Sequence, residues 1–304
     1  MKVALTGATG TIGKALVTAL VGRGDQVVVL TRDPAGAKRK LGAGVEAFAW
    51  THPKLEPAPN EALEGCDGVI HLLGEPVAQR WSEEVKHEIH SSRVLGTRNL
   101  IEGLKLCDRR PPVLVAQSAT GWYGACDEHP VDETAPPAND FLAQVVVDWE
   151  QEAAGAEALG MRVVLARTGV VLTGDGGALK TMLPPFKAGI GGPVAGGEQY
   201  VPWIGLADEV AALIFLLDND SVTGPVNLTA PNPATNGELS KALGKVLKRP
   251  AIAPVPEFAI RLLYGEMAQI VVTGANVVPK RLQELGFGFT HPELEPALRA
   301  ALGK

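Results

Sequence analysis

The sequence predicts an α/β fold: a doubly wound parallel sheet with a smaller, mostly helical C-terminal cap. Three observations predict it. The chain opens on strand, glycine turn and helix. Met1-Lys2-Val3-Ala4-Leu5 reads as a short buried strand, Thr6 to Gly13 as a Gly-x-x-Gly-x-x-Gly turn, and Lys14 to Arg23 as a helix. Apolar runs of strand length then alternate with helical stretches, which implies parallel strands joined by crossover helices. Each strand is apolar throughout, as expected when helices cover both faces of the sheet.

The opening turn carries the most chemistry. Gly7 permits the tight turn, and Gly10 leaves room for a pyrophosphate where a Cβ would stand. Gly13 lets the helix pack close to the strand, and the free N–H groups at the helix start would face the phosphates. This is the Rossmann-like layout for a dinucleotide. The next strand, Gln26 to Thr31, closes on Thr31-Arg32-Asp33. A carboxylate at that place meets the ribose and selects NAD; Arg32 suits the 2′-phosphate of NADP, which a guanidinium grips with several donors. Asp33, one residue later, keeps NAD open, and a strand-end arginine can also be merely solvated. The expected cofactor is NADP(H).

The remaining elements follow in order. A short helix is expected near Pro34 to Leu41, a strand over Val45 to Trp50 and a short helix over Asn60 to Leu63. Gly68 to Gly74 reads as a fourth strand. Ser82 to Leu106 reads as a long amphipathic helix with a possible break at Ser91-Ser92. Val113 to Ser118 is a fifth strand, Phe141 to Gly160 helical, and Arg162 to Arg167 a sixth strand. From Thr168 the pattern changes to glycine-rich loops, Leu172 to Gly177 and Gly189 to Gly197. Val201 to Leu206 precedes a helix beginning near Ala207 or Asp208, and Val226 to Thr229 is another short strand. Asn236 to Leu247 is a helix whose start, with Asn236 and Glu238, suits an N-terminal cap. Pro254 to Gly274 reads as a helix pair and Pro292 to Leu302 as a last amphipathic helix. The expected division is a dinucleotide-binding domain over 1–170 and a substrate and cap region over 171–304, with 250–300 a small helical C-terminal domain. The site belongs between them, at the carboxyl ends of the parallel strands.

Composition narrows the function. The 304 residues can bury a large core, and 46% apolar with 20% charged residues fits a soluble globular protein. A formal charge of −6 argues against a general nucleic-acid surface. The most apolar run, Val210 to Leu217, is too short to span a bilayer, so no membrane partner is expected. The first residues already read as a strand rather than a secretory signal. Cys66, Cys107 and Cys126 are odd in number and far apart, which fits neither a disulfide framework nor a metal site. A cytoplasmic protein with reduced thiols, no metal and a small-molecule substrate is expected. Nothing in the sequence specifies an oligomeric state.

These motifs resemble the extended short-chain dehydrogenase/reductase superfamily, and more closely its atypical branch, the epimerase family related to sugar-nucleotide epimerases and sometimes named cell-division inhibitors. The marks are TGATGTIG at 6–13, LLGEPVAQRW at 72–81, SSRVLGTRNL at 91–100, QSATGWYG at 117–124, FLAQVVVDWE at 141–150, RTGVVL at 167–172, GGP at 191–193 and PWIGLADEV at 202–210. The tail, PVPEFAIRLLYGE at 254–266 and VVPKRLQELGF at 277–287, resembles that branch's small C-terminal domain. The resemblance implies an NADP-type cofactor, with Gly7, Gly10, Thr11, Ile12 and Gly13 holding the pyrophosphate and Thr31 and Arg32 the 2′-phosphate. Leu72 and Leu73 would line the ribose. Arg93, with Glu88 about a turn earlier, would reach the cofactor, and Val171 would offer backbone to the nicotinamide end. One departure is Gly205, where the branch usually has histidine.

The catalytic residues are less legible. Hydride-transferring members of the superfamily usually carry Tyr-x-x-x-Lys on one helix face, where the ammonium lowers the phenol's pKa. Here the residues four after Tyr123, Tyr200 and Tyr264 are Asp127, Ile204 and Ala268, so the pair is absent. Ser118, ending the fifth strand, is the candidate to polarise a substrate oxygen, with Ala119 the alternative occupant of that position. Tyr123 or Glu75 is the candidate to handle the proton. His71 reads as a core histidine. Arg80, Trp81 and Lys86 could face a substrate phosphate, and Trp203 could stack on a ring or pack in the core. Two readings follow: an NADP-dependent oxidoreductase or epimerase acting on a small carbonyl or sugar-nucleotide-like substrate, or a non-catalytic NADPH-binding regulator with a protein partner.

Overall fold

The computed structural model describes residues 1–304. The first half alternates as expected: β1 (Lys2–Thr6), α1 (Thr11–Arg23), β2 (Gln26–Thr31), α2 (Pro34–Leu41), β3 (Val45–Ala49), α3 (Asn60–Leu63), β4 (Gly68–His71), α4 (Glu83–Lys105), β5 (Val113–Ala119), α5 (Phe141–Ala154) and β6 (Arg162–Thr168). Then come β7 (Val170–Leu172), α6 (Gly177–Lys187), β8 (Tyr200–Val201), β9 (Trp203–Gly205), α7 (Leu206–Asp218) and β10 (Gly224–Leu228). The chain ends with β11 (Ala234–Thr235), α8 (Asn236–Leu247), α9 (Glu257–Tyr264), α10 (Gln269–Val272), α11 (Lys280–Glu284) and α12 (Leu294–Ala301).

Seven strands form one sheet in the order β3-β2-β1-β4-β5-β6-β10, and every pairing is parallel. Alternate residues serve two cores. Val3, Leu5, Val29, Ile70, Val115, Val164 and Ala166 pack toward α1 and α7. Ala4, Val28, Val69, Leu114, Ala116 and Val163 pack toward α3, α4 and α5. Both faces are covered, which is why the strands show no polar alternation. The strand order reverses between β1 and β4, and the crevice outside their carboxyl ends is where such sheets bind ligands.

Several expectations change. The fourth strand stops at His71 because the Leu72 N–H leaves the ladder and donates to Thr6 Oγ1 at 3.0 Å. α4 runs unbroken through Ser91 and Ser92; Ser92 Oγ donates back to the Ile89 carbonyl at 3.2 Å, so its hydroxyl is satisfied inside the helix. α5 ends at Ala154, and a 3₁₀ turn over Gly155–Leu159 closes the segment at Gly160 with φ 79°. α6 was not expected, because Pro184 and Pro185 inside it mask its periodicity. The cap of α8 is Thr235, not Asn236: Thr235 and Glu238 form a reciprocal capping box.

The two expected regions share one sheet. The strand expected within the cap is β10, which joins the main sheet beside β6. The C-terminal segments are sewn back onto it. Glu133 is buried and accepts from the N–H groups of Asn227 at 3.0 Å and Arg281 at 3.3 Å. Asp208, at the start of α7, accepts from the N–H groups of Thr290 at 2.6 Å and His291 at 3.0 Å.

The start of α1 makes a tight backbone contact near the crevice. A Cβ on Gly13 would lie 2.3 Å from the Gly7 carbonyl oxygen and 2.7 Å from Ala8 Cα, both main-chain atoms. Gly22, in the same helix, has nothing within 4 Å of its Cβ position. Gly13→Ala is therefore expected to destabilise the protein by about 1–3 kcal/mol. Gly22→Ala is expected to stabilise it by about 0.5–1 kcal/mol through helix propensity. Thermal denaturation of the two variants checks both signs.

Candidate functional site

A cleft of about 230 Å³ opens at the carboxyl ends of β1, β4, β5 and β6. Its walls are Ile12, Leu72, Leu73, Gly74, Arg93 and Trp149, and its floor is Gln117, Ser118, Ala119, Thr168, Gly169 and Val171. The structure thus brings together Ile12, Leu72, Leu73, Arg93, Val171 and Ser118 from separate stretches of sequence. A larger, open hollow of about 970 Å³ lies at the opposite, amino ends of the strands. Its charges are consumed by one another, as in the Met1 ammonium–Asp25 pair at 2.8 Å and the pairing of Arg23 with Asp25 and Asp218. It lacks the converging uncommitted groups that a site needs.

The mouth of the cleft is built by the glycine turn. Gly7 has φ +67°, and a Cβ on it would sit 2.4 Å from the Leu72 carbonyl oxygen, so the turn lies flush on the end of β4. Gly10 is the N-cap of α1; no side chain caps the helix and no acidic residue stands in its first turn. Gly10 and Thr11 are exposed. The first-turn N–H groups and the positive end of the helix dipole are thereby left for an anion.

The end of β2 separates its candidates. Asp33 Oδ1 accepts from the Gly36 N–H at 2.8 Å and caps α2, so this carboxylate is spent on the helix. The Asp33 N–H in turn donates to Thr31 Oγ1 at 3.3 Å, and Arg32 is exposed. On the other wall Arg93 donates to the carbonyls of Glu75 and Ile89, both at 3.0 Å, and lies over the Trp149 ring at 5.2 Å. Burial pushes its guanidinium down to about 10, with the Glu75 charge opposing. Arg93 forms no ion pair, so a cation with no carboxylate bound to it lines the cleft.

Two buried carboxylates lie behind the floor. Ser118 Oγ donates to Glu150 Oε1 at 2.5 Å. Both Glu150 oxygens are held by Arg167, through Nε and Nη2 at 2.8 Å each. Burial acts to lower the Arg167 pKa, but the hydrogen bonds and charge of Glu150 outweigh it and raise it. Arg167 also stacks over Trp122 at 3.8 Å. On the other face of the sheet Thr168 Oγ1 donates to Glu209 Oε1 at 2.8 Å. Glu209 is fully buried, its Oε2 has no partner, and burial raises its carboxyl from the ordinary 4.5 to about 8, with Thr168 opposing.

Other expected residues fall elsewhere. The Tyr123 phenol lies outside the cleft, donating to Asn227 Oδ1 at 2.6 Å and accepting from Arg167 at 3.2 Å. Burial raises its pKa, with Arg167 and Asn227 opposing, and the hydroxyl is engaged by these two partners. Glu88 is exposed and pairs with Lys54 at 2.7 Å, on the outer side of α4 from Arg93. Glu75 follows the cleft residue Gly74 and is tied to α4 through its main chain, with its N–H on Ser92 Oγ at 3.1 Å and its carbonyl on Arg93. His71 is buried between Thr6 and Thr97, and burial pushes it down to about 3, so it stays neutral. Lys86 pairs with Glu83 and Glu266, Trp81 packs edge-on against Phe141, and Trp203 lies in the core.

Glu150, Arg167, Thr168 and Glu209 were missed as functional candidates. One signal was readable: Glu150 interrupts the apolar stripe of Val146, Trp149 and Ala153, and Arg167 ends a strand that is otherwise buried throughout. A charge in a buried stripe needs a partner.

With this geometry in place the class of protein is defined. Residues 3–228 match the NAD dependent epimerase/dehydratase family, and the chain belongs to that family. Residues 255–301 match a domain of unknown function, DUF1731. The epimerase family protein SDR39U1 homolog, chloroplastic, of Arabidopsis thaliana is 40% identical over 304 residues, covering 99% of this chain and 87% of its own. Epimerase family protein YfhF of Bacillus subtilis is 35% identical over 299 residues, covering 98% of this chain and 97% of its own. The crystal structure of human epimerase family protein SDR39U1 with NADPH superposes with a TM-score of 0.86 at 31% identity, over 100% of both chains. UDP-glucuronic acid 4-epimerase from Bacillus cereus shares the fold, with a TM-score of 0.78 at 17% identity over 100% of this chain and 98% of its own.

The two carboxylates make opposite predictions. Arg167→Met strands Glu150 without its cation and is expected to cost about 3–5 kcal/mol, whereas the double variant Arg167→Met/Glu150→Leu loses less. Denaturant midpoints measure both. Unfolded Glu209 releases its proton near 4.5 while the folded protein keeps it up to about 8. Folding stability therefore falls as pH rises across that window. Glu209→Gln removes the liability, so its melting-temperature advantage over the parent should be larger at about pH 8.5 than at about pH 5.

Proposed function

We propose that this protein is an NADPH-dependent oxidoreductase, or a closely related epimerase-like enzyme, acting on a small carbonyl or sugar-nucleotide-like substrate. One observation carries the reading: an uncapped helix start opens into a cleft whose floor presents hydroxyls and whose wall holds an unpaired cation. Gly7, Gly10, Thr11, Ile12 and Gly13 would bind the pyrophosphate, and Arg93 would add a positive charge beside it. Leu72 and Leu73 would flank the ribose, and Val171 would lie at the nicotinamide end. Glu88, paired with Lys54, would contribute only at the outer rim. Bound in this cleft, NADPH would supply hydride. Ser118, whose own hydrogen is given to Glu150, would orient the substrate by accepting from one of its hydroxyls, and Glu75 would shape the mouth through its main chain.

The preference for the phosphorylated cofactor rests on Asp33. Its carboxylate caps α2, which leaves Thr31 and the exposed Arg32 to meet the adenosine ribose. A carboxylate turned away from the ribose selects poorly for NAD, and a free guanidinium favours a 2′-phosphate. Residues 1–170 would supply most of the cofactor site and the later segments the substrate side. The three free thiols suit a reducing compartment such as the cytoplasm.

A second reading has an observation of its own. Tyr123 is bound to Asn227 and Arg167 and no Tyr-x-x-x-Lys pair exists, which favours a non-catalytic NADPH-binding regulator with a protein partner. Purified protein incubated with NADPH and a panel of aldehydes, ketones and sugar nucleotides separates the two. Nicotinamide absorbance lost with at least one of them is the expected result; cofactor that binds and stays reduced across the panel supports the regulator. Arg32→Ala is expected to weaken NADPH binding by about ten- to a hundredfold while sparing NADH. Equal losses for both nucleotides would remove the 2′-phosphate assignment.

A further inference from the structure

We infer that Thr168, backed by Glu209, is the group that hands a proton to the substrate oxygen in this cleft. The inference rests on the cofactor reading above and fills the place left by the missing tyrosine–lysine pair. Ser118 and Thr168 are the hydroxyls on the cleft floor, at the ends of adjacent strands where Ala119 pairs with Thr168 and Ser118 with Arg167. They face opposite sides of the sheet, and each is bonded to a buried carboxylate, Glu150 on α5 and Glu209 on α7.

The two carboxylates differ in one respect. Glu150 is neutralised through both oxygens by Arg167. The Ser118 hydrogen is held by that ion pair, so Ser118 turns lone pairs to the cleft and can position a donor but not protonate an oxygen. Glu209 has no cation. α1 turns Gly13, Leu16, Val17 and Leu20 inward toward α7, while β5 brings Val113 and Val115, β6 Val164 and Ala166, and β9 Ile204. The neighbouring charged group, Asp208 on the same helix, is spent on the N–H groups of Thr290 and His291. His71 packs on the opposite face of the sheet with Thr97. A fully buried carboxyl with no cation and an unpartnered Oε2 is held in its neutral form. The raised carboxyl value near 8 agrees with that geometry.

A neutral Glu209 reverses the hydrogen bond. Its O–H donates to Thr168 Oγ1, and the Thr168 hydrogen is released to turn toward the cleft. As a carbonyl carbon accepts hydride from NADPH, the C=O π pair moves onto oxygen, and that oxygen takes the Thr168 hydrogen. Thr168 Oγ1 takes the Glu209 proton and the carboxylate is left behind; after product leaves, solvent in the open cleft protonates Thr168 Oγ1 as that hydroxyl passes its hydrogen back to Glu209. Thr168 is the catalytic residue in this scheme; Glu209 is a positioning residue that acts through it.

The test reads the protein by binding and spectroscopy as well as turnover. Affinities for NADP⁺ and NADPH are measured by titration from pH 6.5 to 9.5 in the parent, Glu209→Gln, Thr168→Val and Thr168→Ser. Ionisation of Glu209 beneath the floor is expected to raise the preference for the cationic oxidised ring by about tenfold in the parent. Glu209→Gln should be flat. In the infrared, a carboxylic-acid C=O band should fade with the same pH dependence, be absent from Glu209→Gln, shift in Thr168→Val and return in Thr168→Ser. Carbonyl reduction should lose its alkaline fall in Glu209→Gln, and kcat should drop about a hundredfold or more in Thr168→Val, with recovery in Thr168→Ser. A flat ratio in a parent that binds NADPH overturns this proposal alone, as does a pH response that survives in Glu209→Gln or a Thr168→Val protein with parental kcat. Failure of either nucleotide to bind overturns the cofactor reading and this proposal with it.

Discussion

The rest of the structure depends on the contact between the first turn of α1 and the end of β1. Gly13 packs its Cα against the Gly7 carbonyl at a distance that no side chain tolerates, and Gly7 lies equally close to the Leu72 carbonyl. These contacts lock the start of α1 over the point where the strand order reverses. They also explain why the helix is left uncapped. A serine or aspartate at Gly10 would satisfy the first-turn N–H groups but place its side chain where an anion must approach. Side-chain caps close α2, α4, α5 and α8, whereas α1, like α6 and α7, starts on an uncapped glycine. Local helix stability is exchanged for an open, positively polarised edge.

Below that edge the sheet carries an unusual density of buried charge for strands that read as apolar. Glu150 and Arg167 are tolerable because they neutralise each other with parallel charge-assisted hydrogen bonds and stack on Trp122. Glu209 is tolerable only without its charge. Both arrangements lie directly behind Ser118 and Thr168, two residues that line the cleft. The desolvation that makes these groups costly also holds Glu209 in its neutral form.

The later part of the chain is not an independent lid. β10 extends the main sheet, Glu133 ties β10 to the start of α11, and Asp208 ties α7 to the segment before α12. Each tie uses a carboxylate to receive main-chain N–H groups, which satisfies irregular backbone that would otherwise be buried without partners. The region that matches the domain of unknown function is thus joined to the family fold by polar clips as well as by apolar packing.

The sequence by itself determined the parallel α/β sheet, the glycine turn and the arginine at the end of the second strand, because these depend on local rules: apolar runs of strand length, turn geometry, and which side chain ends a strand. Cleft residues such as Leu72, Leu73, Arg93, Ser118 and Val171 were reachable from the family resemblance of their motifs. Tertiary structure alone decided that Tyr123 is consumed by Asn227 and Arg167, and that Val226 to Leu228 belongs to the main sheet. It alone paired Ser118 with Glu150, 32 positions away, and Thr168 with Glu209, 41 positions away. The reason is physical. The protonation state and direction of a polar side chain are set by what removes its water, and that neighbour is chosen by the fold rather than by adjacency along the chain.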